Sequence, residues 1–321
     1  MRKGIAVAGT TLVDKIYEIS AYPSAGELTQ ISAIKNSVGG CVPNTAADIK
    51  NIKPDLPVLA IGKLGADEEG EYVKKVLSGY GVDVSGFVVS QSEKTSFTDV
   101  MSVVGGQRTF FCYAGAGAEF GLDDIDFDSL EVKMLHLGYF LLSKKVDEGD
   151  GLKILKEAQK RGISTSIDLV SENSDRYSIV LPCLPYTDNL IINEVEAGKL
   201  TMIEPKKENL PLIARKLSEK GVKERVIIHT PELGLCYHEG RLTTLPSFDL
   251  PAGFIKGTTG AGDAFCAGSL VAIHEGLSDE EILRYGSIAA TASLCVADAT
   301  SGVKEMSEMQ KICENLKRKV I

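Results

Sequence analysis

The sequence predicts an α/β protein: a doubly wound, mostly parallel sheet with helices on both faces, and a small extra β-sheet attached to it. Short, nearly continuous apolar runs recur at Gly4–Gly9, Val58–Gly62, Met134–Gly138, Leu190–Ile192 and Val226–Thr230. Runs of this kind suit strands buried on both faces, as in a parallel sheet between two helical layers. Amphipathic helical stretches follow several of them, and that alternation is what builds such a sheet. Two further stretches, around Glu27–Val38 and Thr95–Tyr113, are β-rich but break the alternation, and they predict a small extra sheet from about residues 15–38 and 95–115 projecting from a single domain spanning 1–321.

Composition narrows the function classes. A formal net charge of −9 over 321 residues argues against a nucleic-acid or anionic-membrane partner, because both need a basic face. The seven cysteines are scattered with no C-x-x-C pair. They read as reduced, small apolar residues of a cytoplasmic protein rather than a metal cluster. No apolar run approaches the roughly eighteen residues of a membrane span, and Met1-Arg2-Lys3 opens a strand rather than a signal peptide.

Taken in order, the first strand ends near Thr10-Thr11 with Asp14 just beyond it. Ligands gather at the carboxyl edge of parallel strands, so this carboxylate suits substrate hydroxyls, although an aspartate capping its own turn explains it equally well. Gly39-Gly40 permits close backbone approach, and Asn44 offers both a donor and an acceptor at the start of a helix that ends before Pro54. Gly105-Gly106 between β-rich runs is a two-residue hairpin signal. Arg108 follows it, placed either to protect a sheet edge in solvent or to reach an anionic substrate group as a fork donor. Helices are predicted over Glu69–Ser78 and Gly151–Arg161. His136, inside an apolar run without a nucleophile-type partner nearby in sequence, reads as a core histidine. Asn193 and Glu196 share a face of a first helical turn, where one side chain suits a phosphate or sugar and the other a metal-bound water. Ser278-Asp279-Glu280-Glu281 opens a helix running to Val296, and Ser307-Glu308-Met309-Gln310 opens a last one to Lys319, whose basic end complements the helix dipole.

The most informative stretch is Gly257-Thr258-Thr259-Gly260-Ala261-Gly262-Asp263-Ala264-Phe265. Bare backbone at a helix start makes an anion hole, with N–H groups and the helix dipole directed at the anion. A purely phosphate-binding loop gains nothing from a carboxylate at its rim. A loop that transfers a phosphoryl group needs one to orient and deprotonate the attacking hydroxyl, which makes Asp263 the candidate base. A structural turn into a helix is the competing reading.

T-T-G-A-G-D-A-F at 258–265 resembles the C-terminal signature of the PfkB-type (ribokinase-like) carbohydrate kinases. G-G-x-x-x-N-x-A from Gly39 resembles their N-terminal signature, and N-x-x-E at 193–196 resembles their central motif. The resemblance covers essentially the whole chain and implies a ribokinase-like fold, ATP as phosphoryl donor and magnesium as cofactor. It implies that Gly260, Ala261 and Gly262 hold the transferring phosphoryl group, and that Asp14, Gly39, Gly40 and Asn44 bind the sugar. Asn193 and Glu196 would hold magnesium through water, and Thr230, Gly234 and Thr258 would lie on the nucleotide side. In that family the extra sheet is a lid over the sugar and a dimer contact, so a homodimer is implied. The family commonly has Asp where this chain has Gly257, so the side chain that helps hold an activating monovalent cation is missing and weak or absent potassium activation is expected. A nucleoside kinase would share this machinery. A dinucleotide-dependent oxidoreductase is disfavoured because no G-x-G-x-x-G follows the first strand, and Asp263 counts against a non-catalytic sugar-binding regulator.

Overall fold

A computed structural model describes residues 3–103, 106–296 and 299–320. In chain order its elements are β1 (Ile5–Gly9), β2 (Leu12–Ile19), β3 (Ile31–Gly39), α1 (Cys41–Ile52), β4 (Val58–Gly65), α2 (Glu68–Gly79), β5 (Asp83–Ser90), β6 (Phe97–Val103) and β7 (Arg108–Tyr113). There follow β8 (Met134–Phe140), α3 (Gly151–Lys160), β9 (Ser164–Leu169), β10 (Asn189–Asn193), α4 (Glu194–Thr201), α5 (Leu210–Glu219), β11 (Arg225–His229), β12 (Leu233–His238), β13 (Arg241–Pro246), α6 (Ala261–His274), α7 (Asp279–Ser293) and α8 (Met306–Cys313).

The large sheet runs β13-β12-β11-β10-β9-β8-β1-β4-β5. It is parallel from β5 to β11, and β12 and β13 are added antiparallel. Alternation along the strands sorts their side chains into two cores, as a strand covered on both faces requires. Ile5, Val7, Ile191 and Ile227 pack under α1, α6 and α7. Ala6, Ala8, Leu190, Ile192 and Ile228 pack under α3 and α5 on the other face. Among the described residues no helix is long and apolar enough to cross a membrane.

From β1 the chain travels outward to β4 and β5, then returns to β8 on the other side of β1 and proceeds to β11. The strand order therefore reverses between β1 and β8, and the crevice above such a reversal is where ligands bind in open α/β sheets. The carboxyl ends that converge there bring Thr10, Tyr139, Asp168, Asn193 and His229 to one edge.

The second sheet, β3-β2-β6-β7, is the expected lid. Asp67 fastens it: the carboxylate caps α2 at the Gly70 N–H (2.9 Å) and accepts from both the N–H (2.8 Å) and the hydroxyl (2.6 Å) of Thr95. Lys15 on β2 reaches Glu69 of α2 at 2.6 Å. The outer strands β3 and β7 are largely exposed in the single chain, including Ile34, Phe110 and Phe111. The Gly105 half of the predicted hairpin turn lies outside the described residues, but β6 and β7 pair antiparallel on either side of it.

Two expectations about the C-terminal region need correction. The helix after Ser278 is capped as expected, Ser278 Oγ accepting from the Glu281 N–H, yet it ends at Ser293. The last helix is α8 alone, entered through Glu305 rather than a Ser307 box. Beyond it Lys317–Lys319 is extended against Ser247–Asp249, through Asp249 N–H to the Lys317 carbonyl (2.7 Å), Lys319 N–H to the Ser247 carbonyl (2.9 Å), and the Arg318 guanidinium over the Phe248 ring (4.1 Å). Pairing with a neighbouring segment and cation–π stacking override helix propensity there.

Candidate active site

α6 begins at the crevice. Its N-cap, Gly260, has φ of 81°, and a Cβ there would lie 2.6 Å from the Ala299 carbonyl oxygen, so only glycine fits. No side chain among the described residues caps the helix; the Ala261 N–H reaches the Thr258 carbonyl at 3.3 Å, and the next two N–H groups, of Gly262 and Asp263, have no partner among the described residues and are open to an anion. Gly262 differs: a Cβ on it would meet only His229 Cε1, at 3.8 Å. Nothing in the fold requires glycine at 262, whereas a phosphate approaching the helix start does.

Asp263, in the first turn, is buried, and its Oδ2 accepts from Asn44 Nδ2 and from the Tyr139 hydroxyl, each at 2.9 Å. Burial, reinforced by the charge of Asp168, pushes its carboxyl up to about 7, and the two hydrogen bonds oppose that rise. Asn44 Oδ1 is buried with no partner. An acceptor left bare in this way suits a donor from a ligand, such as a sugar hydroxyl.

The paired glycines bring the substrate-side elements together. A Cβ on Gly40 (φ 92°) would lie 2.5 Å from the Thr10 carbonyl oxygen, and one on Gly39 would overlap Asp14 Oδ2. Asp14, on β2, is half-buried, and burial raises its carboxyl pKa against a hydrogen bond from Thr98. Asp14, Gly39, Gly40, Asn44 and Asp263 thus form one continuous set of contacts. Arg108 is not brought into that set. The strand registers put it on the lid face that carries Asp14, but opposite Ser102, whereas Asp14 pairs with Thr98, about 13 Å further along at strand spacing. Arg108 is exposed.

Asn193 and Glu196 form a reciprocal capping box at the start of α4: Asn193 Oδ1 accepts from the Glu196 N–H (2.9 Å), and Glu196 Oε2 accepts from the Asn193 N–H (3.0 Å). Ser171 joins them, donating to Glu196 Oε1 (2.8 Å) and accepting from Asn193 Nδ2 (2.8 Å). Both ends of the Asn193 amide thus help hold the helix start, and the second N–H of Nδ2 is the donor it keeps for a ligand. The Glu196 carboxylate, which burial pushes up to about 7, lines the cavity and keeps lone pairs for a hard cation's water shell. An all-oxygen group of this kind fits magnesium bound through water.

Two cavities meet at Asn193, His229 and Gly262. The smaller, about 190 Å³, is polar and holds Asp168, Glu196 and Asp263. The larger, about 580 Å³, is walled mainly by apolar side chains such as Leu233, Phe248, Ile255 and Leu294, and it includes Thr230, Gly234 and Thr258. An acidic chamber opening through a helix N-terminus into an apolar one has the shape required by a nucleoside polyphosphate. A further cavity of about 630 Å³, among Pro57, Val58 and Asp83, shares no residue with either.

Several site residues were not singled out from the sequence. Asp168 is next to last in β9 and accepts from the Tyr139 N–H at 2.6 Å; its position near a strand's carboxyl end was the available signal. His229 lines both cavities with its ring 4.8 Å from that of Phe265, and burial lowers its pKa to about 4, so it is neutral. Lys319, expected only to complement a helix end, lines the apolar cavity. His136 is a core residue as read: its Nδ1 meets Ser166 Oγ at 2.8 Å, and its Nε2 lies 3.4 Å from Asp168 Oδ2 and 3.7 Å from Cys266 Sγ. The His136, Asp168 and Cys266 atoms sit within 4.8 Å of one another, and both imidazole nitrogens are already engaged.

The pattern described as pfkB family carbohydrate kinase matches residues 3–306. The chain is 27% identical to the ribokinase of Arabidopsis thaliana over 98% of its own length and 81% of that protein's. It is 26% identical to the nucleoside kinase of Methanocaldococcus jannaschii over 98% and 97%. Among solved structures, that of Arabidopsis thaliana ribokinase complexed with ribose and ATP superposes with a TM-score of 0.84 at 25% identity, covering 97% of this chain and 99% of the other.

Proposed function

We propose that this chain, which belongs to the pfkB family of carbohydrate kinases, transfers the γ-phosphoryl group of ATP to a primary hydroxyl of a small sugar or sugar-like molecule, with Asp263 as general base. The observation that carries this reading is the setting of Asp263. A buried carboxyl near neutrality stands at an open helix N-terminus, between a bare Asn44 acceptor and a cavity sized for a nucleotide.

Asp14, Gly39, Gly40 and Asn44 bind the sugar and present its hydroxyl to Asp263. The backbone N–H groups of Gly260, Ala261 and Gly262 accept the charge that grows on the phosphoryl oxygens, electrostatic help that is fixed before the reaction starts. Thr230, Gly234 and Thr258 lie on the nucleotide side, with Lys319 beside them. Asn193 and Glu196 would hold magnesium through water, and the ion would supply positive charge to neutralise the phosphates. A proton passed to a positioned carboxylate is worth about a hundred- to ten-thousand-fold in rate.

Exposed Ile34, Phe110 and Phe111 support a homodimer formed through the lid. All seven cysteines are unpaired, five of them buried, which supports a reducing, cytoplasmic setting. The likeness to a nucleoside kinase favours one second reading, in which the acceptor hydroxyl belongs to a nucleoside. Initial rates of ADP formation across pentoses, hexoses, sugar acids and nucleosides separate the two. ATP consumption with sugars alone supports the proposal, consumption with nucleosides alone supports the second reading, and no acceptor-dependent consumption overturns both.

A further inference from the structure

Tyr139 belongs to none of the three motifs, yet it touches the proposed base. It follows Gly138 at the end of β8 with φ of 58°, a left-handed backbone that a bulky side chain seldom adopts. Such conformations persist where the surroundings over-determine them, and they cluster at functional sites. Here the Tyr139 N–H is held by Asp168 Oδ1 at 2.6 Å, and its carbonyl accepts from the Leu142 N–H at 3.2 Å. From that fixed stem the phenol donates to Asp263 Oδ2, the same oxygen that Asn44 engages. Among the described residues nothing donates to Oδ1, which is not among the buried atoms lacking a partner and is therefore open to the cavity that Asp263 lines.

We propose that Tyr139 is a positioning residue for the proton transfer: with Asn44 it saturates Asp263 Oδ2 and leaves Oδ1 as the atom that takes the substrate's proton. This inference rests on the kinase reading above. As the hydroxyl proton passes to Oδ1, the hydroxyl oxygen forms its bond to the γ-phosphorus, and the bond from that phosphorus to the bridging oxygen breaks with its electron pair leaving on ADP. The proton on Oδ1 is then released to solvent. Oδ2, the carbonyl oxygen of the neutral acid, keeps both hydrogen bonds throughout, so the carboxyl does not have to turn.

The other titratable groups around Asp263 act differently. Asp168 on β9 contributes only its charge, and the Cys41 and Cys266 thiols, on α1 and α6, are pushed well up by burial and stay neutral. His136 is bound to Ser166 and Asp168, His229 is neutral, and Glu196 faces the same cavity from α4. The Tyr139 hydrogen bond holds the Asp263 pKa down, so its loss raises it.

Tyr139→Phe keeps the ring and removes the donor. The acid limb of its pH profile for kcat/KM moves up by about one unit, the worth of one hydrogen bond to a charged group. The KM for ATP stays unchanged, and the plateau above the limb changes far less than the rate below it. Replacing Tyr139 by 3-fluorotyrosine, a stronger donor, moves the limb down, and this serves equally if the Phe variant does not fold. A merely structural tyrosine would lower the rate alike at every pH. A ¹³C NMR titration of the Asp263 carboxyl in the same proteins reads the effect without turnover, so a wild type inactive on every acceptor would overturn the kinase reading while the titration still decides the role of Tyr139. Coincident limbs and coincident carboxyl titrations in wild type and variants would overturn the proposal.

Discussion

Replacing Asp263 by Asn should slow the enzyme and stabilise the protein, and the two effects have one cause. The asparagine oxygen can still accept from Asn44 and Tyr139, while the basic oxygen is gone. Turnover should fall by about a hundred- to ten-thousand-fold, with ATP affinity nearly unchanged. For stability, the folded carboxyl is raised from 3.8 to about 7. Between those values the native state holds a proton that the unfolded chain has released, so the stability of the neutral form is fully present below about pH 3.8 and lost as pH rises to about 7. A rise of roughly three units corresponds to about 4 kcal/mol at most, and relaxation of the site would reduce it. Asn pays no such penalty. Urea denaturation of both proteins at pH 5 and pH 8 should show the variant's advantage growing with pH, and a fluorescent ADP assay gives the rate. A variant with near-normal turnover, or one whose stability relative to wild type is the same at both pH values, would refute the assignment of a strained, neutral-range base.

The two glycines of the loop should separate. Gly262→Ala has space and gains helix propensity, so its melting temperature should hold or rise while activity falls; equal losses of both would make the loop merely structural. Gly260→Ala forces a positive φ and a backbone clash, and its melting temperature should drop clearly. With Gly257 offering only a carbonyl, potassium should raise the rate little over sodium or a bulky organic cation, and a tenfold rise would show that carbonyls suffice. Arg108 is exposed and stands four strand positions from the level of Asp14, so Arg108→Ala should leave the KM values of a neutral acceptor and of ATP unchanged; a raised KM confined to an anionic acceptor would bring Arg108 into the substrate site.

Most of the scaffold was legible because burial on both faces writes itself as uninterrupted apolar runs, as in Ile5–Gly9 and Asn189–Asn193. The lid was legible for the opposite reason, since β2, β3, β6 and β7 break the strand–helix alternation. The carboxylate of Asp263 at the start of α6 and the close approaches at the paired glycines were legible because a helix start and backbone contact constrain residue type at fixed spacing. Tyr139 was not, because a left-handed tyrosine has no sequence signature and its role comes from a partner 124 positions away. Asn193 was legible as a motif but not in its geometry, since the same N-x-x-E spacing serves a capping box. The end of α8 was missed because Arg318 and Lys319 are claimed by contacts to Phe248 and Ser247 that no local pattern announces.

The central claim is phosphoryl transfer to a sugar hydroxyl, and ³¹P NMR of the wild-type protein with ATP, magnesium and the best acceptor tests it most directly. The account predicts that the γ-phosphorus signal is lost as a phosphomonoester resonance grows in equal amount with ADP, and that Asp263→Asn suppresses both changes. ADP with inorganic phosphate alone, or unchanged ATP across the full set of sugars and nucleosides, would contradict it.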